Sequence, residues 1–267
     1  MSILRKLFVR ASGNQLAQRL LEKNVQYAQY LMGIGAGAGV LVSGERTIVQ
    51  TLEASIVPPY CIFDVGSNKG QFLQLVIDSL STEDYSIHCF EPGHETFKQL
   101  SAAAGSDERI RPNNIGISRE KGSATLHYQE TGSTLASLTK RKLDHFNIQF
   151  DESETVEIDT IDNYCSDNGI EHIHLLKIDI EGHEIDALAG AQRMFENKQI
   201  DIVTFEFGGC NIDTRTFFQE FWYFFRQHDM RLFRITPSGY LYPIETYKEI
   251  DEQFRAINYL AIANRLS

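Results

Sequence analysis

A doubly wound α/β domain with a mostly parallel, seven-stranded sheet is the fold this sequence predicts, with an N-terminal helical extension over residues 1–52. Three observations carry the prediction. The apolar run Cys61-Ile62-Phe63-Asp64-Val65 breaks at Gly66 and Gly70, then passes into a helical stretch from Gln71 to Leu80. A second apolar run, Ile87 to Phe90, delivers Glu91, 27 positions after Asp64. From residue 60 onward apolar runs and helical stretches alternate, the pattern of a parallel sheet covered on both faces.

The remaining elements follow in order. His94 to Ala104 reads as a helix, and Ile110 to Ile117 contains a third strand ending near Asn114. Ser123 to Gln129 alternates apolar and polar residues and predicts an added hairpin strand, with Thr155 to Ile158 as its partner. Asp159 to Asn168 predicts a short helix stopped by Gly169. Ile173 to Asp179 is the fourth strand, and Glu184 to Met194 the helix after it. Ile200 to Glu206 is the fifth strand, Thr214 to His228 a helix, Met230 to Ile235 the sixth strand, and Tyr259 to Ala263 the last. One domain over residues 53–267 accommodates them all. The aromatic crowd from Phe217 to Phe225 predicts core packing, with an excess that could line a pocket or a homodimer interface.

Composition narrows the partners. A net charge of -11 opposes a broad nucleic-acid footprint. Cys61, Cys89, Cys165 and Cys210 stand far apart with no C-x-x-C pair, which fits free thiols in a reducing, cytoplasmic setting rather than disulfides or zinc. The first 23 residues hold Arg5, Lys6, Arg10, Arg19 and Lys23 against Glu22 alone, and Ile3, Leu4, Leu7 and Phe8 share a helical face. Packing of this segment on the main domain is expected, with attachment to an anionic lipid surface as the competing reading. Gly33, Gly35, Gly37 and Gly39 alternate with Ile34, Ala36 and Ala38 and run on through Val40-Leu41-Val42. So much glycine predicts a loop held against the core or a ligand, not a solvated helix, and no membrane span.

The chemistry concentrates at strand ends. In open α/β sheets ligands lie beyond the carboxyl ends of the strands, where Asp64, Glu91, Asn114, Asp179 and Glu206 all fall. Gly66 and Gly70 permit close backbone approach, with Ser67 between them and Asn68 suited to a left-handed conformation. Glu91, followed by Pro92, is placed to accept hydrogen bonds from two ribose hydroxyls, and Asn114 and Ile115 to sit by an adenine. Asp64 would reach an ammonium. Strand alternation puts Lys177 and Asp179 on one face, so Lys177 could pair with Asp179, a carboxylate placed to take or orient a hydroxyl proton. Glu184 reads as an ordinary acid in a first helical turn. No metal is expected: His172 and His174 lie about 16 Å from Asp179 at roughly 3.3 Å per residue. A carboxylate magnesium site at Asp179, Glu181 and Glu206 is the alternative. The loop Thr131 to Ser137 is either solvated linker or acceptor-side wall.

Together, Asp64-Val65-Gly66-Ser67-Asn68-Lys69-Gly70-Gln71-Phe72, Phe90-Glu91-Pro92, Asn114-Ile115-Gly116, the run Leu176 to Glu184, Leu188, Gly190 and Glu206 resemble the FkbM family of class I methyltransferases. The resemblance spans about residues 60 to 235 and implies a Rossmann-like fold and use of S-adenosylmethionine. It also implies methyl transfer to a hydroxyl of a small-molecule, glycan or polyketide-like acceptor. On that reading Asp64, Gly66, Ser67, Asn68, Gly70, Glu91, Pro92, Asn114, Ile115 and Asp179 contact the cofactor. Asp179 carries the acid/base role, supported by Glu181 and Lys177. A nicotinamide-dependent dehydrogenase is disfavoured by the missing middle glycine. A non-enzymatic scaffold on a methyltransferase-like fold remains the alternative.

Overall fold

The computed structural model describes residues 3–37, 39 and 43–266. Helices α1 (Ile3–Ala11) and α2 (Gln15–Leu31) come first, and α3 (Arg46–Ser55) follows the glycine-rich segment. The side chains of Ile3, Leu4 and Leu7, and all of Ala38 and Val40-Leu41-Val42, lie outside the described residues. The Asn14 side chain caps α2 by accepting a hydrogen bond from Ala17 N. The packing expected for this lead-in fails for α2, none of whose residues is buried. It is fastened at its C-terminal end instead, where Gln29 donates to Gln253 (3.0 Å) and accepts from Arg255 (2.8 Å). α3 behaves differently and sinks Ile48, Val49 and Leu52 into the core.

The strands among the described residues are β1 (Tyr60–Val65), β2 (Tyr85–Phe90), β3 (Ile110–Asn113), β4 (Gly116–Ile117), β5 (Gly122–Tyr128), β6 (Glu152–Asp159), β7 (Ile173–Ile178), β8 (Ile200–Phe207), β9 (Met230–Ile235), β10 (Leu241–Pro243) and β11 (Ile257–Ala263). The main sheet runs β10-β9-β11-β8-β7-β1-β2-β3. β1 pairs parallel with both β2 and β7, and β7 parallel with β8. β11 is antiparallel to both its neighbours, β8 and β9. The seven expected strands are therefore present, with the short hairpin strand β10 as an eighth. A second sheet, β4-β6-β5, realises the expected hairpin. The register sets Val65 level with Phe90 and with Ile178, so the loops after three central strands open at one edge. The strand order reverses there, between β1 and β7, which is where such sheets hold ligands.

Helices α4 (Gln71–Ser79), α5 (His94–Ala104), α6 (Ile161–Asn168), α7 (Glu184–Ala189), α8 (Gln192–Glu196), α9 (Cys210–Thr214) and α10 (Phe218–Gln227) complete the layers. Two expected helices are broken. The stretch Glu184 to Met194 divides at Gly190, where only glycine fits because a Cβ would stand 2.1 Å from the Ser118 carbonyl oxygen. The stretch Thr214 to His228 divides at Arg215, whose backbone is left-handed (φ 60°). Phe218, Phe221 and Phe225 of α10 are buried, and Phe205 stacks on Phe221 with ring centroids 4.6 Å apart. The aromatic helix is thus largely core, with Phe217 and Tyr223 left exposed.

A candidate active site at the switch point

One cavity of about 540 Å3 opens at this edge. Its floor is the glycine turn after β1. Gly66 is left-handed (φ 79°), and a Cβ there would stand 1.9 Å from the Asp179 carbonyl oxygen, so the loops after β1 and β7 can meet only at glycine. Asn68 takes the left-handed conformation (φ 49°) that its side chain tolerates. Its backbone N–H donates to Glu91 Oε2 (3.1 Å), and Gly93 N–H donates to Glu91 Oε1 (2.9 Å). These two bonds fix the Glu91 carboxylate at the cavity wall and leave each oxygen a free lone pair. Burial pushes Glu91 up to about 7, against the lowering effects of those N–H groups and of Lys177.

Lys177 is the hub of the site. Its Nζ donates to the Gly66 carbonyl (3.0 Å), stands 3.2 Å from Asp64 Oδ1, and lies 3.6 Å from Asp179 Oδ2. The pairing with Asp179 is therefore real but secondary to that with Asp64. Asp64 is fully buried, its carboxylate oxygens accept no hydrogen bond among the described residues, and it does not line the cavity. Its cationic neighbour is Lys177. Burial works against the Lys177 ammonium, but Asp64, Asp179 and Glu45 outweigh it and hold its pKa above the ordinary lysine value.

Beyond Asp179 the wall is acidic. Glu181, left-handed at φ 55°, pairs with Arg141. Burial and the Asp179 charge push Glu181 up to about 8, Arg141 offsetting part of this. Burial and the charges of Asp179 and Glu181 push Glu206 well up too. Glu184 is completely buried, and its Oε1 accepts from Ile180 N (3.1 Å) and Gly182 N (3.0 Å). It shapes the loop that presents Glu181, a task its position in a first helical turn did not reveal. Ser137 Oγ donates to the Glu181 carbonyl (2.9 Å), and residues 133–138 line the cavity, so the hydroxyl-rich loop is wall rather than linker.

Of the residues singled out in the sequence, Gly66, Ser67, Asn68, Glu91, Pro92, Lys177, Asp179 and Glu181 meet in this cavity. Asp64, Gly70, Asn114 and Ile115 are not among its lining residues. Asn114 is tied up elsewhere, donating to the Glu91 and Pro92 carbonyls (both 2.9 Å), and so braces the turn carrying Glu91. Ile115 packs against the core. Sequence reasoning missed Arg141 and Glu45. Arg141 stands in a long loop without periodicity, and Glu45 follows the glycine-rich segment. That segment is held against the core by Gly35 N and Gly37 N, which both donate to the Ala256 carbonyl (3.0 Å), and it lends Gly37 and Gly39 to the cavity.

At the opposite end of β7, His172, His174 and Asp201 hold possible ligand atoms within 4.8 Å of one another. These groups already have hydrogen-bond partners. His172 Nε2 bonds Asp201 Oδ2 (2.8 Å), Arg265 bonds Asp201 Oδ1 (2.5 Å), and Cys61 N–H donates to His174 Nδ1 (2.8 Å). The Arg265 charge also disfavours a cation there.

A sheet with the antiparallel strand β11 inserted between β8 and β9, a glycine turn after β1 and an acid after β2 define a class I methyltransferase domain. The family described as "Methyltransferase FkbM domain" matches residues 64–232, and the chain belongs to that family. A protein described as 2-O-methyltransferase NoeI, from Sinorhizobium fredii, is 28% identical over 160 residues, which are 55% of this chain and 62% of that protein. The match thus spans less than two thirds of that relative's length. Among solved structures, the methyltransferase FkbM from Methylobacillus flagellatus KT shares 15% identity over 76% of this chain and 45% of that one, with a TM-score of 0.43. The plantazolicin methyltransferase BpumL, solved in complex with SAH, shares 8% over 95% of this chain and 92% of that one, with a TM-score of 0.44. No helix among the described residues is long and apolar enough to cross a membrane.

Proposed function

We propose that the chain is an S-adenosylmethionine-dependent O-methyltransferase acting on a hydroxyl of a small-molecule, sugar or polyketide-like acceptor. The observation that carries this reading is the placement of Glu91 and Asp179 in one cavity, on either side of a glycine turn that admits no Cβ. The volume is that of a small-ligand site. The backbone of Gly66, Ser67 and Asn68 would hold the methionine part of the cofactor, and the Glu91 lone pairs would accept from its ribose hydroxyls. When bound, the cofactor supplies an electrophilic methyl group on a sulfonium. Asp179 takes the acceptor's hydroxyl proton as the oxygen becomes nucleophilic, and Lys177 holds Asp179 in place through their charge contact. Glu181, carrying its proton near neutrality, can donate to an acceptor oxygen, while Arg141 fixes it and Glu206, pushed up by burial and the Asp179 charge, stands on the same wall. A wall that both donates and accepts suits a polyhydroxylated acceptor.

The test is a thermal-shift titration with S-adenosylhomocysteine, with NAD as control. Saturation at about 100 times the dissociation constant should stabilise the fold by roughly 2.7 kcal/mol, visible as a raised midpoint. NAD should give none, and Glu91→Gln should need a higher S-adenosylhomocysteine concentration for the same shift. A shift with NAD alone would overturn the reading. The sign of the pH dependence follows from Glu91, whose pKa stands at about 7 in the free protein. Ribose hydroxyls favour its ionised form, so binding below pH 7 must expel a proton. Affinity measured by calorimetry is therefore expected to fall about tenfold per pH unit below 7 and to level off above it. In Glu91→Gln the profile should be flat, and a parent profile equally flat between pH 5 and 8 would remove Glu91 from the ribose site.

A further inference from the structure

We propose that α1 and α2 form a docking arm for an anionic lipid surface. Leu16, Leu20, Leu21, Val25, Tyr27, Tyr30 and Leu31 of α2 are all exposed, Leu16 at 70%, although seven large apolar side chains on one helix ordinarily find a cover. At 100° per residue all but Tyr30 fall within one half of the helix circumference, an arc interrupted by a single polar residue, Asn24, and Tyr30 stands about 40° beyond its edge. That is wider than the narrow seam through which two helices pair, and it matches a helix lying half-immersed in a bilayer interface. Arg19 and Lys23 lie on the opposite half, Lys23 at its border, where long cationic side chains reach lipid phosphates while their stems stay on apolar ground. α1 continues the theme, with Phe8 and Val9 exposed beside Arg10 and no acid in its sequence.

Charge selects the partner. The first 32 residues hold five basic side chains and one acid, and the whole chain's 25 basic and 36 acidic residues leave 20 and 35 for the remainder. The arm is cationic on an acidic body, so a negatively charged surface attracts the arm and keeps the body outward. Two arms pressed together would instead set like charges against each other. The hydrogen bonds of Gln29 to Gln253 and Arg255 anchor the base of the arm to the body. The segment that follows it reaches Gly37 in the cavity wall. Docking therefore brings the cavity close to the lipid surface, which would suit an acceptor carried there.

Co-sedimentation of the full chain with vesicles tests this, comparing pure phosphatidylcholine with an equimolar mixture of phosphatidylcholine and phosphatidylglycerol. Partition to the mixed vesicles is expected, with far weaker partition to the neutral ones. Arg10→Gln, Arg19→Gln and Lys23→Gln together should weaken it roughly a hundredfold, at about fivefold per cation. Leu20→Glu with Leu31→Glu should abolish it. Neither set touches a buried residue of α2, so midpoints of thermal unfolding should match the parent's and separate docking from folding. No partition, equal partition to both vesicle types, or partition unchanged in both variants would overturn the proposal. So would a parent dimer that ignores vesicles and is split by the leucine variant, since the face would then belong to a second copy.

Discussion

Replacing Asp179 by asparagine is expected to lower kcat by roughly 10²- to 10⁴-fold, the usual contribution of a positioned acid/base. Asparagine keeps the shape of the side chain but cannot take a proton. The backbone N–H of residue 179, which donates to the Val65 carbonyl (3.0 Å), is untouched, so the junction of the two loops should survive. Affinity for S-adenosylhomocysteine, measured by calorimetry, should stay close to the parent's, while turnover is read by methyl transfer to a panel of glycosides and hydroxylated small molecules. If affinity collapses along with turnover, Asp179 belongs to the cofactor rather than to the acceptor. Glu181→Gln supplies the contrast. Glu181 is pushed up to about 8, so glutamine imitates the form that prevails at neutral pH. This variant should keep most of the parent's activity near pH 7 and diverge only as the pH rises through 8, where the parent ionises. A loss at pH 7 as large as that of Asp179→Asn would move the proton-transfer role towards Glu181.

The parts of this site that could be read in the sequence are those whose cause is local. An apolar run that ends in an acid, followed by glycine, dictates a strand, a tight turn and a polar group at the sheet edge, and so Gly66, Glu91 and Asp179 were placed by pattern alone. The left-handed Asn68 was legible because few residue types accept that conformation. What stayed hidden depends on contacts between distant segments. The need for glycine at 190 follows from the approach of Ser118, 72 positions earlier, and no helical periodicity anticipates it. Arg141 reaches Glu181 from a loop without a repeating pattern. The pairing of Lys177 with Asp64 needs the register of β1 on β7, which sets these two residues side by side. Alternation along one strand pointed only to Asp179, because it has nothing to say about neighbouring strands.

That cross-strand pair sets the second large effect, a loss of roughly 3–5 kcal/mol of stability in Lys177→Met. Asp64 is completely buried and its carboxylate accepts no hydrogen bond among the described residues, so the ammonium 3.2 Å away is the charge that accompanies it. Methionine fills a similar volume but leaves the carboxylate alone in a low-dielectric interior, where its desolvation is no longer offset. For a domain of this size the thermal midpoint should drop by roughly 6–20 °C. The parent's pH dependence has the sign of a raised lysine: the folded-state pKa lies above the unfolded value of 10.5. The stabilisation is thus fully present below that value and is lost only as the pH climbs through the folded one. Asp64→Leu combined with Lys177→Met replaces both charges with apolar groups and should recover most of the loss, because a buried ion pair and its apolar replacement are often close in stability. Denaturant unfolding of the parent, Lys177→Met, Asp64→Leu and the double variant gives the coupling directly. A single variant that loses less than about 1 kcal/mol, or a double variant as unstable as the single, would mean that Asp64 is compensated by something other than Lys177.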